Sequence, residues 1–298
     1  MRRLTMLQAA NRVSLYALLV CLGVAGCAKS SRTVSRRASE IPPPPPGMVL
    51  VDAGEFIMGR NDGPVDEQPE RKVPLPAFYI DKFKVTNSHF AVFVEATGQP
   101  PPSHWPEGRI PVGQEDLPVV NVSWQDAAAY AKWAKKRLPT EQEWEKAARG
   151  PAGRLYPWGN EPDVTMRVTD AELRPVGSSP SNVSPCGCYD MVSYPPEWTS
   201  SYYTIPLAPT SNDRPPVIYE LSYLFAGMKL KSDYRRQTEI LQSLGGGAKA
   251  EDILVIKGGT RSMRAPWSTT ATYREGIDIR VPQQGIGFRC AKSISEAE

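Results

Sequence analysis

Beyond residue 47 the chain alternates short apolar runs with turn-rich polar stretches, and few of its helical periodicities last more than three turns. Residues 48–59, MVLVDAGEFIMG, hold two apolar runs around Ala53-Gly54, which predicts a β-hairpin. FYIDKFKV at 78–85 predicts a further strand. Thr86 is placed to cap a helix through NSHFAVFVEAT that stops at Gly98. The proline- and glycine-rich stretch 99–118 predicts an irregular surface loop.

The strongest local code lies in NVSWQDAAAYAKWAKKRLPTEQEWEKAARG, 121–150, where two capping boxes follow one another: Ser123 with Asp126, and Thr140 with Glu143. Each hydroxyl can accept from a free helical N–H while the carboxylate reaches back to the cap, so two short helices are expected. Ala127, Tyr130, Ala131 and Ala134 mark the buried face of the first; Trp144, Ala147 and Ala148 mark that of the second, which Gly150 can end. Glu141, Glu143 and Glu145 are assigned to capping and the helix dipole rather than to acid–base chemistry. Residues 219–244 carry Leu221, Leu224, Phe225 and Met228 at helical spacing, then Ile240, Leu241 and Leu244, before Gly245-Gly246-Gly247. The stretch 206–252 reads as an excursion from the domain that carries an amphipathic helix.

Thirty prolines and 23 glycines, with seven tryptophans and twelve tyrosines, fit a loop-rich α+β fold pinned by turns and aromatic packing. The start differs. A basic MRRLTMLQAANR precedes an apolar VSLYALLVCLGVA that is short for a bilayer span, then Val24-Ala25-Gly26-Cys27. This order is similar to a bacterial lipobox, so residues 1–26 are expected to be a signal peptide and Cys27 the lipidated residue. Residues 27–47, polar and ending in Pro42–Pro46 and Gly47, are expected to be a tether, with one domain over 48–298.

The formal charge of the chain is +3. Residues 1–26 account for all of it through Arg2, Arg3 and Arg12. The tether is basic in turn, with Lys29, Arg32, Arg36 and Arg37 against Glu40, which leaves the domain slightly acidic. A nucleic-acid binder would concentrate basic charge on its folded surface, so that class is set aside. The basic residues sit instead beside the expected anchor.

Taken together, MVLVDAGEFIMG, FYIDKFKVTNSHFAVFVEATG, the 121–150 phrase, YPWGNEP at 156–162, EWT at 197–199, IKGGTRS at 256–262 and GIGFRCA at 285–291 resemble the formylglycine-generating enzyme (sulfatase-modifying factor) family. The resemblance implies a compact, C-type-lectin-like fold with few short helices and strands and a groove for an extended peptide. In catalytic members, two cysteines after the double glycine bind copper and use oxygen to oxidise a substrate cysteine. Those positions fall here on Met263 and Ser268. A neutral thioether and a hydroxyl do not replace a dithiolate for a soft metal, so no copper is expected. Met263, Arg264, Trp267 and Ser268 remain as groove candidates, Trp267 to stack and Arg264 to meet an anion.

Other departures accompany this one. The family commonly pairs a cysteine of the first capped helix with the one in the GFRC phrase; here the helix has Ala131. A substitute disulfide of Cys290 with Cys186 or Cys188 is expected. The family's Gly-Asn-Val-Trp-Glu-Trp phrase, associated with calcium, appears as Ser193 to Trp198 with two prolines, keeping Glu197 as the candidate calcium ligand. The related iron-dependent sulfoxide synthases need three histidines and a second domain; His89 and His104 are read as structural or exposed.

These features describe a non-catalytic, lipid-anchored binding or scaffold protein, facing the periplasm from the outer membrane and held in a cell-envelope assembly of motility or secretion type. The alternative is a copper-independent periplasmic maturation enzyme resembling relatives that act on pyoverdine. A formylglycine-generating oxidase would need thiols that 257–270 lacks.

Overall fold

A computed structural model describes residues 41–163, 172–203, 252–259, 270–281 and 284–294. By packing, the chain divides into Met1–Ile41 and Pro42–Glu298. The second unit therefore begins earlier than Met48. Tyr79 donates its hydroxyl to the carbonyl of Pro42 at 2.5 Å, and Met48 N–H donates to the carbonyl of Pro45 at 3.0 Å, so the proline run is tied to the domain at two points.

The expected α+β architecture is present. Among the described residues, three α-helices accompany small antiparallel sheets. β1 (Met48–Val51), β4 (Phe78–Asp81) and β8 (Ala291–Ser293) form one sheet, β2 (Gly54–Met58) and β3 (Arg71–Leu75) a second, and β5 (Glu197–Tyr202), β6 (Ile253–Lys257) and β7 (Arg274–Asp278) a third. The hairpin expected across Ala53-Gly54 does not form. β1 pairs with β4, Val49 opposite Ile80, whereas β2 pairs with β3, Phe56 opposite Val73. Val51 joins Phe78 and Ile80 in a core cluster, and Ala53-Gly54 carries the chain out of that sheet into the next.

The helices follow their caps. α1 (Asn87–Thr97) starts at Thr86, whose hydroxyl accepts from His89 N–H, and ends at Gly98 in the left-handed region at φ 70°. α2 (Trp124–Trp133) and α3 (Glu141–Arg149) each carry a complete capping box, on Ser123/Asp126 and Thr140/Glu143. Ala127, Tyr130 and Ala131 are buried as expected, while Ala134 is the half-buried C-cap. Phe90 and Phe93 of α1 pack with Tyr130, Trp105, Trp198 and Phe288 in the larger core cluster.

α3 breaks the usual rule for a surface helix. Besides Trp144, Ala147 and Ala148 it buries Glu141, Glu143, Glu145, Lys146 and Arg149. A helix that buries charge on several faces needs a partner for each charge. Lys146 Nζ donates to the carbonyls of Asp52 and Gly54 at 2.6 and 2.9 Å, and Arg149 donates to those of Ile57, Gly59, Gly153 and Arg154. α3 is thus stitched to β2 by side chain-to-backbone bonds, and Glu141 and Glu145 are left to meet Arg274 and Lys257 of the third sheet.

Candidate functional site

The double-glycine segment leaves β6 at Lys257 and returns through Thr270 to β7. Met263, Arg264, Trp267 and Ser268 lie outside the described residues, as do Cys27 and nearly all of the excursion. What holds the two ends of the segment is described in full. Gly258 has φ +94°, and a Cβ there would meet the Met191 carbonyl oxygen at 2.8 Å and the Trp144 ring at 3.5 Å. The backbone approaches its neighbours as only glycine allows.

At the entry, Lys257 is fully buried; its Nζ donates to Glu145 Oε2 at 2.9 Å and the Thr272 carbonyl at 3.0 Å, and lies 5.6 Å from the Trp144 ring centroid. The other oxygen of Glu145 accepts from Gly59 N–H at 2.7 Å and Arg149 at 2.9 Å. Burial pushes this carboxyl up, but Lys257 and Arg149 outweigh it and hold the carboxyl below its ordinary range. At the exit, Arg274 pairs with Glu141 at 2.6 Å, donates to the Asp66 carbonyl at 3.1 Å and lies over the Tyr203 ring. Glu141 and Glu145 are therefore anchors for β6 and β7, not caps, whereas Glu143 does cap and also takes a bidentate pair from Arg137 at 2.7 Å.

Between the two anchors sits Glu67, 3% exposed. Its Oε2 accepts from Thr272 Oγ1 at 2.7 Å, and Thr270 and Thr272 hydroxyls are 3.0 Å apart. Its Oε1 has no hydrogen-bond partner among the described residues. Burial pushes this carboxyl up to about 7, so at neutral pH it both holds and releases a proton. The hydroxyls connect it to Thr270, where the segment ends.

A second buried centre is formed by Glu197, 0% exposed. Oε1 accepts from Lys84 at 2.6 Å and Arg289 at 3.0 Å; Oε2 accepts from Arg289 at 2.7 Å and the Trp144 indole at 2.9 Å. Burial raises the Glu197 carboxyl, and Arg289 and Lys84 together outweigh that and leave it lowered. Lys84 is buried as well, and it also donates to the carbonyls of Ser193 and Pro195 at 3.3 and 2.9 Å. Glu197 is the candidate calcium ligand of the Ser193–Trp198 phrase, and calcium is held by carboxylate and carbonyl oxygens of this kind. A lysine ammonium has gathered them, and the donor set does not fit calcium.

The cysteines correct another expectation. Cys290 forms no disulfide with Cys186 or Cys188; all three are free. Cys290 packs in the cluster around Phe90 and Phe288, whereas Cys186 and Cys188 belong to the one around Trp144 and Ile80. The two thiols of the Cys-Gly-Cys turn lie against each other at 3.5 Å. His89 faces solvent beside Thr86, with Nδ1 2.9 Å from its hydroxyl, and His104 is a half-buried loop residue.

Sequence reasoning missed Lys84, Lys257, Arg289 and Glu67. The first three share one signal, a single charge inside an apolar run (FKV, VIK, FRC), which marks a buried cation with a waiting partner. Glu67 lies in a polar loop and gives no such signal.

A family model described as the sulfatase-modifying factor enzyme 1-like domain (FGE-sulfatase) matches residues 33–294. The chain belongs to this family. Among FGE-sulfatase relatives, serine/threonine-protein kinase Pkn1 of Chlamydia trachomatis is 37% identical over 193 residues, 58% of this chain and 31% of that protein. The chain thus spans about a third of that relative's length. The inactive C-alpha-formylglycine-generating enzyme 2 of Mus musculus is 37% identical over 214 residues, 53% of this chain and 70% of that protein. The solved structure of PvdO from Pseudomonas aeruginosa superposes with a TM-score of 0.55 at 23% identity, covering 83% of this chain and 94% of that one, which shows a shared FGE-sulfatase fold.

Proposed function

We propose that this chain is a lipid-anchored FGE-sulfatase family protein that binds a partner of the cell envelope without copper chemistry. The observation that carries this reading is the contrast within one segment. Its two ends are fixed by buried ion pairs at Lys257 and Arg274, while the positions corresponding to the copper thiolates are Met263 and Ser268. A framework that fixes both ends of the segment, without the ligands of the reaction, suits recognition better than oxidation. Similarity to an inactive relative supports the same view. In this reading Arg264 and Trp267 contact the partner, the 206–252 excursion extends the groove, and Cys27 with its basic tether holds the domain at the outer membrane, facing the periplasm.

The test is cross-linked capture from intact cells with the full chain, beside a Cys27→Ser form. A stoichiometric envelope protein recovered with the full chain and lost with Cys27→Ser is the expected result. Tight one-to-one copper(I) binding by the full chain, or capture of no protein, would count against it.

Glu67 favours a second reading, a copper-independent enzyme of the maturation type, with this carboxyl as its proton carrier. Arg60 Nε lies 3.7 Å from Oε2, and burial outweighs the Thr272 hydrogen bond and the pull of Lys257 and Arg60, so the proton is retained. Under that reading Glu67→Gln reproduces the metabolite changes of a gene deletion while leaving the amount of anchored protein unaltered.

A further inference from the structure

The turn Ser184-Pro185-Cys186-Gly187-Cys188 brings two thiols together. Gly187 N–H donates to the Ser184 carbonyl at 2.9 Å and Ser184 N–H to the Cys188 carbonyl at 2.8 Å, closing a tight turn whose flanks bridge at Val183 and Tyr189. The sulfurs are 3.5 Å apart. They differ in surroundings: Cys188 is fully buried against the Asp81 carbonyl, while Cys186 is partly exposed, 3.2 Å from the Ala147 carbonyl and 3.3 Å from Ser184 Oγ. The hydrogen bond from Cys188 pulls the Cys186 thiol down to about 6 despite burial, whereas the same bond and burial push Cys188 well up. No third histidine, cysteine or carboxylate joins them into a metal-holding group among the described residues.

We propose that Cys186 and Cys188 form a redox-active dithiol, with Cys186 as the attacking thiolate and Cys188 as the resolving thiol. The oxidant is a disulfide. Cys186 Sγ attacks one sulfur of it, expelling the other as a thiolate and leaving a mixed disulfide. Cys188 then loses its proton and attacks Cys186 Sγ, expelling the second thiolate. The chain gives up two electrons, and two protons end on the two thiols released. Closing the sulfurs to a bond of about 2.05 Å needs a movement of about 1.5 Å. The residue between them permits it: Gly187 has φ +92°, and a Cβ there would meet only Val49 Cγ1 at 3.8 Å.

The test uses the full chain, reduced, then treated with glutathione disulfide or oxidised thioredoxin, alkylated and mapped by mass spectrometry. Expected are an intrachain Cys186–Cys188 disulfide with one or both oxidants, a trapped mixed disulfide at Cys186 in Cys188→Ser, and none at Cys188 in Cys186→Ser. In the reduced native chain Cys186 should alkylate at least about tenfold faster than Cys290, whose sulfur is buried. Equal alkylation rates, or no Cys186–Cys188 disulfide in the unmutated chain with either oxidant, would overturn the proposal. Because the unmutated chain supplies the deciding readouts, a variant that fails to fold does not blur the result.

Discussion

The indole N–H of Trp144 donates to Oε2 of Glu197 at 2.9 Å, with both side chains 0% exposed. The same indole ring lies under the Lys257 ammonium. One residue of α3 therefore joins the two buried ion centres, one holding the Ser193–Trp198 turn and the other the entry of the double-glycine segment.

Glu197→Gln should be among the most damaging single changes. It leaves Lys84 and Arg289 buried with their shared counter-charge removed, which typically costs about 3–5 kcal/mol. The urea midpoint of the full chain should fall accordingly. Adding a calcium chelator to the native chain should leave that midpoint where it was; a chelator-sensitive midpoint would show that the Lys84 ammonium does not substitute for a metal.

Glu67 gives a pH signature. Its folded value of about 7 lies above the ordinary 4.5, so between those values the native chain holds a proton that the unfolded chain has released. Stability at this site therefore falls as pH rises from 4.5 through 7, by about 3 kcal/mol in total, and is flat above. Glu67→Gln removes that slope. The variant and the native chain should have similar stability near pH 4.5, and the variant should be the more stable at pH 8.

Two glycines separate backbone strain from steric contact. Gly98 and Gly258 both have positive φ, but a Cβ at Gly98 meets nothing within 4 Å, whereas one at Gly258 meets the Met191 carbonyl at 2.8 Å. Gly98→Ala should cost about 1 kcal/mol. Gly258→Ala should cost about 2 kcal/mol more, since packed backbone must move. Equal losses in thermal denaturation would mean that the double glycine is there for conformation alone.

The caps offer a smaller effect. Ser123→Ala and Thr140→Ala each remove the acceptor for one helical N–H and should lower stability by about 1 kcal/mol. Glu143→Gln should cost more than Asp126→Asn, because Glu143 also receives both arms of Arg137. Matched losses would place Arg137 in solvent.

What could be read in advance was local or familial. Capping boxes declare themselves within four residues, so α2 and α3 began where their hydroxyls and carboxylates said. Strand pairing is not local. The runs MVLV and EFIM are adjacent in sequence, yet each found a partner further along, and nothing in Ala53-Gly54 distinguishes a turn from a passage between sheets. The polar centres were hidden for the same reason. Glu145 meets Lys257 across 112 residues and Glu67 meets Thr272 across 205, so their purpose exists only after folding. Cys290 sits at the residue where a disulfide was expected, but hydrophobic packing put it in a different cluster from the other two thiols.

The Lys84 ammonium, gathered by Glu197 and the carbonyls of Ser193 and Pro195, has a consequence for where this domain can work. A dissolved ion that organises a turn is in exchange with its surroundings, and the turn loosens when the surroundings run short. A cation covalently attached to the chain has an effective concentration set by the backbone and independent of supply. The turn that bears Glu197 thus keeps its shape in hard water and soft alike.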